Sequence, residues 1–266
     1  GLGDVYKRQK YLRRFIMKKI GIIGLGLIGG SIFKDLKSLG YDVIAVSKSQ
    51  TGENIYKDYG VLKDRDVVFV CSAMNKTLAI LDELENVLPN NTVVTDVCSL
   101  KKFVTQKNRP YRFVPSHPMA GTEHKGFENS FEGLFEGAKW VLTPVFGESE
   151  ELVSIIKSLG AIPIITTPEK HDEAAAIISH MPMVLAQALF LAARENPLAM
   201  EIASSGFRDM TRLALSNEEM ACDMISMNAE NIEQSILKLY KSMGDLTRGN
   251  YPEIITKVKS ERSKMF

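Results

Sequence analysis

Cysteine is scarce in this chain, with three in 266 residues at Cys71, Cys98 and Cys222. Odd in number and without redox or metal-ligand spacing, they argue against a disulfide framework and a thiolate metal site, and suit packing residues in a reducing cytoplasm. Charge of one sign is missing too. Lys plus Arg number 33 against 32 Asp plus Glu, so neither nucleic acid nor an anionic membrane surface is an expected partner. No run is read as approaching the roughly 20 apolar residues needed to span a bilayer, and a small molecule is the expected partner. Residues 1–16 are basic through Lys7, Arg8, Lys10, Arg13 and Arg14 but hold no apolar run or cleavage site. They read as a disordered or non-native leader, with Met17 a natural start.

What is present is organised around the stretch from Lys18 to Ser31. Ile20, Ile22 and Ile23 form a short β-branched run suited to a strand buried on both faces of a parallel sheet. Gly24-Leu25-Gly26-Leu27-Ile28-Gly29 then fits G-x-G-x-x-G. Gly24 supplies the tight turn, Gly26 lets the backbone approach a pyrophosphate, and Gly29 lets the helix pack on the strand. The N–H groups opening that helix, around Leu27 and Ile28, carry roughly half a positive charge and can hold the phosphates. A helical pattern (Ile28, Ile32, Leu36, Leu39) and a second strand from Tyr41 to Val46 follow, the context this motif requires.

The fold class is α/β: a Rossmann-type doubly wound, mostly parallel sheet followed by an all-α domain. Residues 17–168 are assigned to dinucleotide binding and 169–266 to a helical substrate-binding and dimerisation domain. Seven strands are expected, at Lys19–Gly24, Asp42–Val46, Asp66–Cys71, Thr92–Val97, Arg112–Pro115, Lys139–Leu142 and Ile162–Ile165. Helices are expected over Lys76–Val87 and over Glu150–Leu159, capped by Ser149 and closed by Gly160. Past Pro168 glycine thins out and nine of the twelve methionines appear. Ala174–Arg194 is apolar enough to be buried all round. Glu230–Met243, with Ile232, Ile236, Leu237 and Tyr240, reads as an amphipathic helix whose Met-rich surroundings suit a homodimer interface.

In NAD-binding sheets an acid about 20 residues past the glycines holds the ribose 2′-hydroxyl, whereas a 2′-phosphate needs that acid absent. Here the second strand ends Val46-Ser47-Lys48-Ser49. Two hydroxyls and an ammonium at Ser47, Lys48 and Ser49 favour NADP over NAD.

Four polar clusters remain: Asp96-Val-Cys-Ser-Leu-Lys101, Ser116-His-Pro-Met-Ala-Gly-Thr-Glu123, His171-Asp172 with His180, and Gly206-Phe-Arg-Asp-Met-Thr-Arg212. The first two fall at strand ends over the carboxyl edge of the sheet, where open α/β sheets place ligands. With the glycine motif, and in this order, the clusters resemble prephenate dehydrogenase and its relative arogenate dehydrogenase, from Met17 to about Asn217. The His-Pro-Met-Ala-Gly-Thr-Glu block is the most specific part.

The resemblance implies oxidative decarboxylation of a cyclohexadienol, with hydride passing to NAD(P)+, in tyrosine biosynthesis. By similarity His117 accepts the hydroxyl proton, a role suited to an imidazole of pKa ~6.5. Ser99 hydrogen-bonds the same hydroxyl or orients the His117 ring. Arg212 grips a substrate carboxylate with its guanidinium fork. His180 and Thr122 line the substrate cleft between the two halves, Glu123 guards its mouth, and His171 caps the domain junction. Lys101 is either near the cofactor or a helix-opening surface lysine. Met183, Met220-Ala221 and Lys125 depart from the family pattern at positions that bear on the substrate, leaving prephenate, arogenate and an amino-substituted relative open. No segment matches a fused chorismate mutase or a regulatory tail, so tyrosine feedback, if it occurs, would have to act at the active site. Two other readings share the glycine motif: a β-hydroxyacid dehydrogenase, which would use a helical lysine as acid/base, and a non-enzymatic nucleotide sensor.

Overall fold

The computed structural model describes residues 18–122, 124–249 and 251–265, so the expected leader over 1–16 and Glu123 lie outside the described residues. The chain divides into two compact units. One runs to Asp172 and takes in Asn217–Asp223; the other comprises Glu173–Ser216 with the segment from Met224 onward. The division expected between 168 and 169 thus falls a turn later, inside a helix.

The first unit is built on six parallel strands: β1 (Lys19–Ile23), β2 (Asp42–Val46), β3 (Ile55–Tyr56), β4 (Val67–Val70), β5 (Val93–Asp96) and β6 (Arg112–Phe113). Their order is β3-β2-β1-β4-β5-β6. Alternation along each strand feeds two cores, as a pleat of period two requires. Ile20, Ile22, Val43, Ala45, Val67 and Phe69 join α1 (Leu27–Ser38) through Ile32, Phe33 and Leu36. Ile23, Ile44, Val46, Val68 and Val70 join α2 (Met74–Leu84) through Leu81 and Leu84. The two-residue β3 is too short to carry a hydrophobic pattern and was not among the expected strands.

The expected seven-strand sheet is in fact two sheets. β7 (Ser116–Pro118), β8 (Lys139–Leu142) and β9 (Ile162–Ile165) form a separate one, with β7 antiparallel to β8 and β8 parallel to β9. The strand expected over Arg112–Pro115 stops at Phe113. Pro115 has no N–H to continue the ladder, and the chain restarts at Ser116 in the second sheet. Trp140 on β8 is fully buried, edge-on to Phe69 at 6.3 Å and 5.1 Å from Phe135. In α3 (Glu150–Ser158) the Ser149 hydroxyl accepts from Leu152 N at 3.2 Å, and Gly160, with φ +78°, closes the helix, as expected.

After β9 every described element is helical: α4 (Pro168–Ala175), a π turn at Ala176–His180, α5 (Met181–Ala193), α6 (Pro197–Glu201), α7 (Ser205–Thr211), α8 (Glu218–Met227), α9 (Ala229–Arg248) and α10 (Tyr251–Arg262). The expectation that 174–194 is buried all round does not hold. In α5 only Met183 and Ala186 are buried, while Ile178 in the π turn, Phe190 and Leu191 are exposed. The 26-residue helical run Pro168–Ala193, which holds an 18-residue stretch of mean hydropathy 1.7, is also long and apolar enough to cross a membrane by length and composition, contrary to the sequence expectation. Its first turns hold Glu169, Lys170, His171, Asp172 and Glu173, with His171 and Asp172 engaged in a buried polar network of the first unit. On α9, Ile232 is buried, but Leu237 and Tyr240 are 60% and 71% exposed.

The cysteines divide. Burial pushes the Cys98 thiol up to about 12 and Cys71 higher still; Cys222 is exposed and is not the packing residue expected.

Candidate active site

The strand order reverses at β1, whose neighbours are β2 and β4. The crevice beyond the carboxyl ends of β1 and β4 is therefore the switch point at which such sheets bind ligands. The glycine turn sits there. Gly24 has φ +89°, and a Cβ on it would stand 2.4 Å from the Cys71 carbonyl oxygen. On Gly29 a Cβ would stand 2.0 Å from the Gly24 oxygen, so the helix could not pack against the turn. At Gly26, by contrast, a Cβ meets nothing within 4 Å: this glycine borders open space. Gly26 is the N-cap of α1, makes no side-chain cap bond, and no acid occupies the first turn, where Leu27 and Ile28 lie. Amide donors with no side-chain acceptor, beside a Cβ-free opening, fit a pyrophosphate.

At the end of β2 the structure redistributes the expected roles. Ser47 is buried and its hydroxyl accepts from Gln50 N at 3.1 Å, so it shapes the loop instead of opening onto a ligand. Lys48 and Ser49 are exposed. Lys57, which sequence reasoning missed, donates its three ammonium hydrogens to the carbonyls of Ser47, Lys48 and Gln50 at 2.9, 3.0 and 2.8 Å. The loop is wrapped around a cation supplied from the far end of β3.

The polar clusters at β5 and β7 converge. Lys101 is neither a surface lysine nor exposed to a ligand: it is 0% exposed, ion-paired with Asp96, which is equally buried. Its ammonium also donates to the Ser116 carbonyl at 2.6 Å. Asp96 accepts in addition from Cys98 N (2.9 Å) and Ser116 N (3.3 Å). The Ser116 hydroxyl donates to the Asp96 carbonyl at 2.9 Å and accepts from the Trp140 indole at 2.9 Å. The residue preceding His117 is thus fixed on every side.

His117, half-buried on β7, has Nδ1 3.0 Å from Nε2 of His171, with the rings edge-on and their centroids 5.2 Å apart. His171 Nδ1 lies 2.8 Å from Asp172 Oδ1. The Asp172 carboxylate in turn accepts from the backbone N–H groups of Lys101 (2.8 Å) and Lys102 (2.9 Å). His171 therefore holds the His117 ring. Its 54-residue separation from His117 in the chain left no local signal of the pairing. Ser99 donates to the Met74 thioether at 3.3 Å, a weak acceptor that a substrate oxygen can replace. Thr122, in an exposed loop, accepts from His124 N at 3.2 Å. Among the described residues no group of three or more His, Cys, Asp or Glu is placed to hold a metal ion.

In the second unit Arg212 is exposed just past α7 and forms no ion pair among the described residues. His180 closes the π turn, is fully buried and sits 3.1 Å from Asn228 Nδ2 through its Nδ1. A single wide turn inside an α-helix is a frequent feature of functional sites. Met183 is buried and Lys125 exposed.

A glycine cradle at the switch point of a parallel sheet, in a unit that also carries an imidazole backed by a second histidine and a carboxylate, defines a dinucleotide-binding protein of the class that joins a Rossmann-type unit to a helical one. Residues 43–162 match the family model described as prephenate dehydrogenase, nucleotide-binding domain, and residues 167–249 match prephenate dehydrogenase, dimerization domain. The chain is 30% identical over 259 residues to a prephenate dehydrogenase of Lactococcus lactis, covering 85% of this chain and 72% of that one. Among solved structures it is similar to Synechocystis arogenate dehydrogenase (TM-score 0.81, 30% identity, 93% of this chain and 100% of that one). It is likewise similar to prephenate dehydrogenase from A. aeolicus in complex with hydroxyphenyl propionate and NAD+ (TM-score 0.82, 26% identity, 94% and 99%). The chain belongs to the prephenate dehydrogenase family.

Proposed function

We propose that this protein oxidatively decarboxylates prephenate or arogenate, giving 4-hydroxyphenylpyruvate or tyrosine. The observation that carries the reading is the support of His117, whose Nδ1 is engaged by His171, itself held on the Asp172 carboxylate. A pyridine dinucleotide, when bound on Gly24, Gly26 and Gly29, supplies the hydride acceptor. His117 Nε2 takes the proton of the ring hydroxyl, and Ser99 exchanges its thioether contact for that same hydroxyl. Carbon dioxide leaves as the ring becomes aromatic, which supplies the drive. The chain's work is then to align the ring and move one proton. Arg212 binds a substrate carboxylate; its exposed guanidinium without an ion-pair partner among the described residues suits this. His180, Thr122 and Glu123 are proposed as further substrate ligands.

For the cofactor we favour NADP, supported by the absence of an acid at the tip of β2, Val46-Ser47-Lys48-Ser49, and by the cationic loop of Lys48 and Lys57. A homodimer through the helical unit is supported by the dimerization-domain match and by the uncovered apolar side chains of α9. Three free thiols suit a cytoplasmic location. The test is to mix purified protein with prephenate and with arogenate, each with NAD+ and NADP+, and follow reduced nicotinamide by absorbance. Turnover of either acid supports the proposal; turnover of neither, with any dinucleotide, overturns it.

A further inference from the structure

We propose that His171 and Asp172 turn His117 into the outer member of a two-histidine proton relay, with His171 fixing which nitrogen of His117 is basic and receiving a proton in turn. This rests on the reading of His117 as the base, and reaches beyond it by assigning the tautomer and the proton's next stop.

The chain of donors and acceptors starts at Asp172. Its carboxylate is buried and accepts two backbone N–H bonds, from Lys101 and Lys102. A carboxylate whose two oxygens both receive amide hydrogens can only accept. His171 Nδ1, 2.8 Å away, therefore carries hydrogen and donates to Asp172 Oδ1. In neutral His171 the other nitrogen, Nε2, is then an acceptor. His117 Nδ1, 3.0 Å from it, must be the donor. That leaves the lone pair of neutral His117 on Nε2, the nitrogen that does the abstracting. One carboxylate, two residues removed along the hydrogen-bond chain, thus decides the chemistry of the outermost nitrogen.

The same geometry moves the proton onward. When Nε2 of His117 bonds the substrate's hydroxyl proton, the oxygen keeps the O–H electron pair and the imidazole becomes positive. Its Nδ1 proton can then pass to His171 Nε2, returning His117 to neutrality and leaving His171 as imidazolium against Asp172. His171 is buried, and a buried cation needs such a partner. Among the described residues, the other charged groups nearby are the Asp96–Lys101 pair from the turn after β5, whose opposite charges offset each other, Lys102, exposed beside it, and Glu169, Lys170 and Glu173, all exposed on the same helix as His171. If His171 is protonated before substrate binds, both its nitrogens donate. His117 Nδ1 must then accept, its hydrogen moves to Nε2, and the base is lost. The acid limb of the rate profile is therefore assigned to the coupled histidines, not to His117 alone.

The variants that separate the roles are His171→Gln and Asp172→Asn. In the first, a glutamine carbonyl can still accept from His117 Nδ1 but cannot take up a proton. In the second, the new amide can donate to His171 and reverse the chain. Removing the carboxylate behind a triad histidine costs on the order of 10⁴ in turnover through the wrong tautomer, and a loss of roughly 10²–10⁴ is expected for Asp172→Asn. Nitrogen-15 NMR of the imidazoles in the full-length protein reads tautomers without substrate or turnover. The expected result is hydrogen on Nδ1 of His117 in the wild type and in His171→Gln, and a shift towards Nε2 in Asp172→Asn. The acid limb of kcat should move in His171→Gln. Hydrogen on Nε2 of neutral His117 in the wild type, or an acid limb unmoved in His171→Gln, overturns the relay. Full turnover in His117→Asn would instead overturn the underlying reading of His117 as base while the NMR result stood.

Discussion

The ammonium of Lys101 is shared between the Asp96 carboxylate and the Ser116 carbonyl, so a completely buried ion pair holds the backbone one residue before His117. Removing one partner of such a pair leaves an uncompensated buried charge, which costs about 3–5 kcal/mol. Lys101→Met should lower stability by that amount in urea unfolding and reduce turnover as well, because Ser116 loses a tether. Asp96→Asn with Lys101→Met together should be less destabilising than the sum of the two single changes. An additive double mutant would contradict the coupling.

His117→Asn should lower kcat by roughly 10²–10⁴, the usual worth of a positioned base. Dinucleotide affinity, measured by calorimetry, should stay within about twofold, since the cradle at Gly24–Gly29 is built from backbone.

Arg212→Ala should act on binding. A charge-assisted bond to a carboxylate is worth roughly 1.5–3 kcal/mol, so KM should rise on the order of 10- to 150-fold with a smaller change in kcat. Lys at this position should restore only part of it, because an ammonium cannot make the two-pronged contact.

For the coenzyme, Lys48→Ala should weaken NADP+ more than NAD+, and Lys57→Met should do the same by releasing the loop whose three carbonyls it gathers. Dissociation constants for both dinucleotides, taken by fluorescence titration, give the ratio directly. An enzyme that already prefers NAD+ would remove the basis for this expectation.

The exposed apolar side chains of α9 carry the last prediction. Leu237→Glu with Tyr240→Glu should convert a dimer to monomer in sedimentation velocity, while leaving the first unit folded by circular dichroism. A wild-type protein that sediments as a monomer at tens of micromolar would refute it.

Much of the nucleotide-binding half was legible in the sequence, because its signals are local. Val46 ends a strand and Gly24 turns with positive φ for reasons contained within a few residues. Lys139–Leu142 and Ile162–Ile165 were likewise found at their observed bounds. Their membership of a second sheet was not, since strand pairing is set by long-range packing around Trp140 and by the break at Pro115. The same limit hid the His117–His171 contact and the burial of Lys101: each depends on parts of the chain far apart in sequence. In the helical half, composition spoke for burial, yet Leu191 and Leu237 lie uncovered in a single chain. Hydrophobicity reports that a surface will be covered, but not whether by the same molecule.

The wide turn at Ala176–His180 has an effect on everything downstream of it. Each residue advances an α-helix by about 100°, so a residue accommodated in the looser winding re-phases the segment that follows. Met183 and Ala186, the two shielded positions of α5, follow that turn directly. Deleting one residue from the turn would rotate them, and Phe190 with them, by about 100° relative to the helix before the turn, without altering one side chain on α5.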